Sequence, residues 1–474
     1  MGTIRAVERS AVLPKPVSEF ISGARAAQRT IADWPQKRVD AAVAAIAWHI
    51  CRPETARELT GSAYSQTGIG SPEDAFVQLG RRVHGALSDF HGVQTLGLIE
   101  AEPERRLRRY AKPIGVIGVL TPATAPIAAI TVNAMTAVKT RNAAVICANP
   151  GVRSAGAAAV EVIRQGLKAA GAPVDLVQFL TEPARSRAVE LAEQCDMVIA
   201  TGGAATVRRA SAAGRPTYSG GPGNAVVIID ETADLTQAAD AIVAGKTFDN
   251  GTSCSAESTL IVARAISGLM RAELTARGVH FCDAAEGARL RATVWPDGKL
   301  FRGAVGQPAT RIAKLAGVEA PDGTRALAAD IGADPESDPM CGEKLSPIMG
   351  FTTYGGFDEA VALVRRLTAI AGRGHSCGIH SSNASHVERL AEAAEVSRMM
   401  VNQSTGLGNS GSFGNGMPFT STISCGSWGG STLNENVTWR RFLNYTWVSE
   451  PLQRPAPSWE TLMEPYLAIA DATA

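Results

Sequence analysis

The eight cysteines of this 474-residue chain stand singly, with no C-x-x-C pair and no Cys/His cluster at zinc spacing. That absence excludes a disulfide framework and a structural zinc, so no metal site is expected. Excess charge is also missing: the formal net charge is +1, which leaves no basic field for nucleic acid and no charge run for a membrane surface. No apolar run reaches membrane-spanning length without a charge or helix breaker, and the N-terminus has no charged segment followed by an apolar signal core. A cytoplasmic protein acting on a small molecule is the expectation.

The fold class follows from alternation. The first hundred residues carry helical periodicity, as in "ISGARAAQRTIADWPQKRVDAAVAAIAWHI", with apolar residues three and four apart. From Pro113 short apolar runs alternate with Ala-rich helical segments: "GVIGVLTP", "PIAAITVNAMTAVKTRN", "AAVICANP", and later "DMVIATGG". This is the sequence form of an α/β doubly wound parallel sheet, a Rossmann-type cofactor domain in outline, whose strand ends offer a ligand crevice. A second αβ region begins near Lys246 and closes on "NQSTGLGNSGSFGNGMPF". The ending "NENVTWRRFLNYTWVSEP" alternates bulky and polar residues and predicts an extended arm, paired either with another subunit or within the chain.

Two places suit chemistry. Gly202 and Gly203 end a strand and open a helical segment, where bare backbone N–H groups can meet a cofactor's phosphates. The G-x-G-x-x-G fingerprint is absent, so this signal is weak alone. "FDNGTSCSAES" puts Cys254 between Ser253 and Ser255; three neighbouring hydroxyls, with Thr252, fit a reactive thiol better than a packed one. No histidine base is obvious nearby in sequence. His375, in "GRGHSCGIH", is the candidate, with a helix-end or core role as the alternative.

In "KPIGVIGVLTP", "ATGG", "FDNGTSC", "EKLSPIMGF" and "CGSWGGSTLNENVTW" the chain resembles the aldehyde dehydrogenase superfamily over nearly its whole length, and within it the CoA-acylating branch. The resemblance implies a Rossmann-type cofactor domain within residues 1–245, a catalytic αβ domain at 246–430, and a small oligomerisation arm at 431–474. It implies Cys254 as the nucleophile that forms a thioacyl enzyme, with Ser253, Ser255 and His375 at the substrate. It places the nicotinamide cofactor, NADP or else NAD, along Thr121, Pro122, Ala123, Thr124, Asn149, Pro150, Gly151, Thr201, Gly202, Gly203, Gly220 and Gly221, with Glu343 on the ribose unless it is a solvated cap. Arg153 would meet a 2′-phosphate or lie at the surface. A homodimer or homotetramer is expected.

Two departures matter. Hydrolytic members carry a water-activating glutamate where this chain has "YSGGPGN", so the second half-reaction suits a thiol: at a pKa of about 8.5 roughly 3% is thiolate at pH 7, whereas water needs a base. Coenzyme A is therefore the expected co-substrate. The family's oxyanion-holding asparagine is replaced by Ala125, a loss worth about 100 to 1000-fold in rate unless another donor serves. The C-terminal stretch looks most like branch members acting on sulfoacetaldehyde, then those acting on succinate semialdehyde and acetaldehyde. A hydrolytic dehydrogenase and a catalytically silent protein of the same fold remain as alternatives.

Overall fold

The computed structural model describes residues 15–182, 185–332 and 334–467; residues 1–14 and 468–474, the ends of the expected first and third spans, lie outside the described residues. Four helices lead in: Val17–Ile31, Gln36–Ile50, Pro53–Thr67 and Pro72–Phe90. The fourth starts where its sequence says it should. Ser71 accepts from the Asp74 N–H, Pro72 fills the first turn, and Glu73 and Asp74 complement the helix dipole there.

The first sheet, of five strands, is wholly parallel, in the order Val177–Phe179, Ala143–Cys147, Val116–Leu120, Met197–Thr201, Thr217–Gly220. Val116–Leu120 and Ala143–Cys147 are buried along their whole length, as their unbroken apolar runs require in a sheet covered by helices on both faces. The chain leaves Val116–Leu120 toward one neighbour and later returns to its other side at Met197–Thr201. The switch point thus lies between these two strands, and the crevice opens beyond Thr121 and Thr201.

Seven further strands form a second parallel sheet: Val279–Phe281, Ala326–Asp330, Ile348–Tyr354, Glu257–Ala263, Ala225–Ile229, Cys377–His380 and Met399–Val401. Because Ala225–Ile229 belongs to this sheet, the crossover falls between Gly220 and Ala225, ahead of the boundary expected at 245. The apolar run "NAVVIID" carries no mark of which sheet it joins. The expected arm is likewise built from two regions: Leu443–Ser449 pairs antiparallel with Leu107–Pro113, which pairs with Gly97–Glu102. Among the described residues the outer edge of Leu443–Ser449 has no strand beside it.

Candidate active site

The loop that carries Cys254 is held by backbone strain and side-chain ties. Asp249, Asn250 and Gly251 lie successively in the left-handed region, at φ 50°, 50° and 68°, where only Gly, Asn and Asp are common. A Cβ at Gly251 would sit 2.7 Å from the Ser346 carbonyl oxygen. The Asn250 amide donates to the Gly70 and Gly306 carbonyls at 2.9 and 3.1 Å, while the Asp249 carboxylate accepts from the Ser71 N–H at 2.7 Å and the Thr252 hydroxyl at 2.5 Å. Burial, helped by Asp74, pushes the Asp249 carboxyl up to about 6. The tied loop delivers Cys254 just ahead of Glu257–Ala263. A Cβ at Gly223 would collide with the Cys254 carbonyl oxygen, so the loop after Thr217–Gly220 must be bare there.

His375 Nε2 lies 3.1 Å from Cys254 Sγ, and its Nδ1 lies 2.9 Å from Ser376 Oγ. With Nδ1 protonated toward Ser376, Nε2 presents a lone pair to the thiol. The ring is fully buried; burial, and then the charge of Arg398, hold the imidazole down at about 3. Burial, and then Glu343, push the Cys254 thiol up to about 12. The resting pair is neutral at pH 7: an S–H facing an imidazole. His375 was the one candidate base in the sequence, and its place at the thiol follows from folding across 121 positions.

Cys254 opens into a cavity of about 330 Å³. Its wall includes Thr121 to Thr124, Asn149, Thr201 to Gly203, Gly220, Gly221, Ser253 and Glu343. Pro150 and Gly151 adjoin Asn149 without forming part of the wall, and Arg153, at the start of the helix Arg153–Ala169, is exposed. Ser255 departs from the expectation of substrate contact: it is buried and lines no part of the cavity, because the turn that exposes Cys254 carries the next residue inward. The Glu343 carboxylate accepts from the Gly223 N–H at 2.7 Å. Burial lifts it to about 7, opposed by Lys246 and Lys344. Thr121 Oγ1 is buried without a partner, an unmet polar atom at the switch point that a ligand could satisfy.

Ala125, also in the wall, keeps a left-handed φ of 49° at the head of Pro126–Lys139, a conformation asparagine adopts more readily than alanine. No amide replaces the missing donor at that position. Among the described residues, however, the Cys254 N–H has no acceptor, so one donor is free beside the sulfur. Sequence reasoning missed Arg82, which reaches the same cavity from Pro72–Phe90. On an amphipathic helix it reads as a surface charge, and only tertiary placement distinguishes it.

A family model described as aldehyde dehydrogenase family matches residues 8–280. The chain is 37% identical to a sulfoacetaldehyde dehydrogenase of Acholeplasma sp, over 95% of this chain and 94% of that protein. It is also 37% identical to the sulfoacetaldehyde dehydrogenase (acylating) of Cupriavidus necator, over 98% and 94%. The crystal structure of an acetylating aldehyde dehydrogenase from Geobacillus thermoglucosidasius superposes with a TM-score of 0.89 at 30% identity, covering 93% of this chain and 98% of that one.

Proposed function

The chain belongs to the aldehyde dehydrogenase family, and on that premise we propose that it is a CoA-acylating enzyme converting sulfoacetaldehyde, CoA and NADP+ to sulfoacetyl-CoA and NADPH. The observation that carries this reading is the cavity's composition. It joins the Cys254 thiol, with His375 against it, to a wall in which Glu343 is the one carboxylate among the described residues. The stretch "YSGGPGN", which stands where hydrolytic members carry their glutamate, contributes only Gly220, Gly221 and Pro222 to that wall.

The chain's own groups then act as follows. As Cys254 Sγ bonds to the aldehyde carbon, its proton passes to His375 Nε2 and the aldehyde oxygen takes the negative charge. The free Cys254 N–H meets that oxygen. Bound nicotinamide would supply the acceptor for the hydride that leaves the aldehyde carbon. The C=O bond re-forms, leaving a thioester on Cys254, and His375 returns its proton to solvent. The CoA thiol next gives its proton to His375, its sulfur bonds to the acyl carbon, and Cys254 leaves and recovers a proton from His375. One thioester replaces another, so little of the oxidation's free energy is lost.

The residues present fit the cofactor: Thr121 Oγ1 awaits a partner, and the strand end at Thr201 meets the N-terminus of Ala204–Ala212 through Gly202 and Gly203, which suits phosphates. Glu343 is assigned to the nicotinamide ribose, and exposed Arg153 to a 2′-phosphate, which favours NADP over NAD. The names of the two relatives favour sulfoacetaldehyde over succinate semialdehyde and acetaldehyde. A homodimer or homotetramer is proposed from the open edge of Leu443–Ser449.

The test is trapping. Enzyme mixed with sulfoacetaldehyde and NADP+ without CoA should gain the acyl mass on the Cys254 peptide and lose it when CoA is added. Free sulfoacetate in place of a trapped acyl group would overturn the reading.

A further inference from the structure

Arg82 is a cation without a counter-ion. It stands in the cavity wall with Cys254, yet among the described residues no carboxylate lies within ion-pair distance of it. Its Nη1 donates to the Ser410 and Thr420 carbonyls, both at 2.6 Å, which fixes the guanidinium plane. Among the described residues the other edge, Nε with Nη2, has no protein acceptor.

Nearby groups do not neutralise it. Arg81 adds a second positive charge, with its own donors on the Leu407 and Gly411 carbonyls. Asp89, two turns further along the helix from Arg82, is turned to the Phe419 N–H at 2.7 Å. Glu343 is engaged with Gly223. Ser421 Oγ, in the same wall, is buried without a partner. A guanidinium held by two carbonyls, with a planar edge left open and a spare hydroxyl in the same cavity wall, is a preformed receptor for a group with two or three anionic oxygens.

We propose that Arg82 is the residue that selects anionic aldehydes, its Nε–Nη2 edge and Ser421 Oγ binding the sulfonate or carboxylate end while Cys254 faces the aldehyde carbon. The inference rests on the reading of Cys254 as the nucleophile and adds to it the source of substrate selectivity. The recognised chemistry is a short aldehyde ending in an oxyanion; sulfonate and carboxylate share it, and the assay distinguishes them.

The experiment compares the wild type with Arg82→Gln and Arg82→Lys, using sulfoacetaldehyde, succinate semialdehyde and propionaldehyde with saturating CoA and NADP+. Truncating one member of a buried charge pair costs enough to change affinity by about 100-fold. The ratio of kcat/KM for the better anionic aldehyde to that for propionaldehyde should fall by about that factor in Arg82→Gln, mainly through KM, and by less in Arg82→Lys. Which anionic aldehyde loses more identifies sulfonate or carboxylate. A ratio unchanged in both variants, or a wild type that prefers propionaldehyde, would overturn the inference while leaving CoA-acylating chemistry intact. Calorimetry with ethanesulfonate, which cannot react, gives the independent readout: binding to the wild type that Arg82→Gln weakens supports the receptor even if no aldehyde is turned over, and equal or absent binding overturns it.

Discussion

At the scale of single residues the pairing of a thiol held near 12 with an imidazole held near 3 sets the expected chemistry. Such a pair does not exist as thiolate and imidazolium at neutral pH, so iodoacetamide should alkylate ligand-free Cys254 at a rate that climbs about tenfold per pH unit from 7 to 9. A rate flat over that range would mean a preformed ion pair. Replacing His375 by Ala should lower kcat by about 100 to 10,000-fold, the usual reach of general acid–base catalysis, in steady-state assays. Ala125→Asn should restore an oxyanion donor in a conformation that asparagine tolerates. A rise in kcat of about tenfold or more is expected, and no rise would mean that the Cys254 N–H already suffices. Cys254 and the glycine turns were legible because their signals are local: hydroxyls around a cysteine, bare residues at a strand end. His375 was legible only as a candidate and Arg82 not at all, since their meaning arises from contacts with segments 121 and 328 positions away.

At the scale of elements the loop that carries Cys254 depends on protonation. Asp249 titrates near 6 in the folded chain against about 3.9 when unfolded, so between those values the folded state binds more protons and stability falls as pH rises. The contribution is whole below about pH 4 and lost above about 6. Asp249→Asn keeps a residue suited to φ 50° and removes the titration. Its thermal stability relative to the wild type should therefore improve from pH 4 to 6 and level off above, by about 1 to 3 kcal/mol; a difference constant with pH would contradict the assigned protonation. Strands and helices were readable here because alternation and apolar runs are properties of the segments themselves. The crossover at Gly220 to Ala225 was not, because "NAVVIID" would serve either sheet equally and only its pairing with Glu257–Ala263 and Cys377–His380, strands remote from it in sequence, commits it.

At the scale of the whole molecule two parallel sheets meet so that one supplies the switch-point crevice and the other the thiol, and the cavity exists only where they join. The third sheet, built from both ends of the chain, leaves Leu443–Ser449 open on one side, with Trp447 52% exposed. Light scattering should give a dimer or tetramer, and a monomer at micromolar concentration would contradict that assignment. The C-terminal segment was legible as a strand but its partner was not, since an alternating segment fits a partner within the chain, as found with Leu107–Pro113, as well as one outside it. The central claim, that the acyl group leaves Cys254 for a thiol and not for water, is tested most directly by nicotinamide reduction with sulfoacetaldehyde, with and without CoA, beside Cys254→Ala. Steady turnover that needs both CoA and Cys254 is the predicted result; steady turnover without CoA would contradict it.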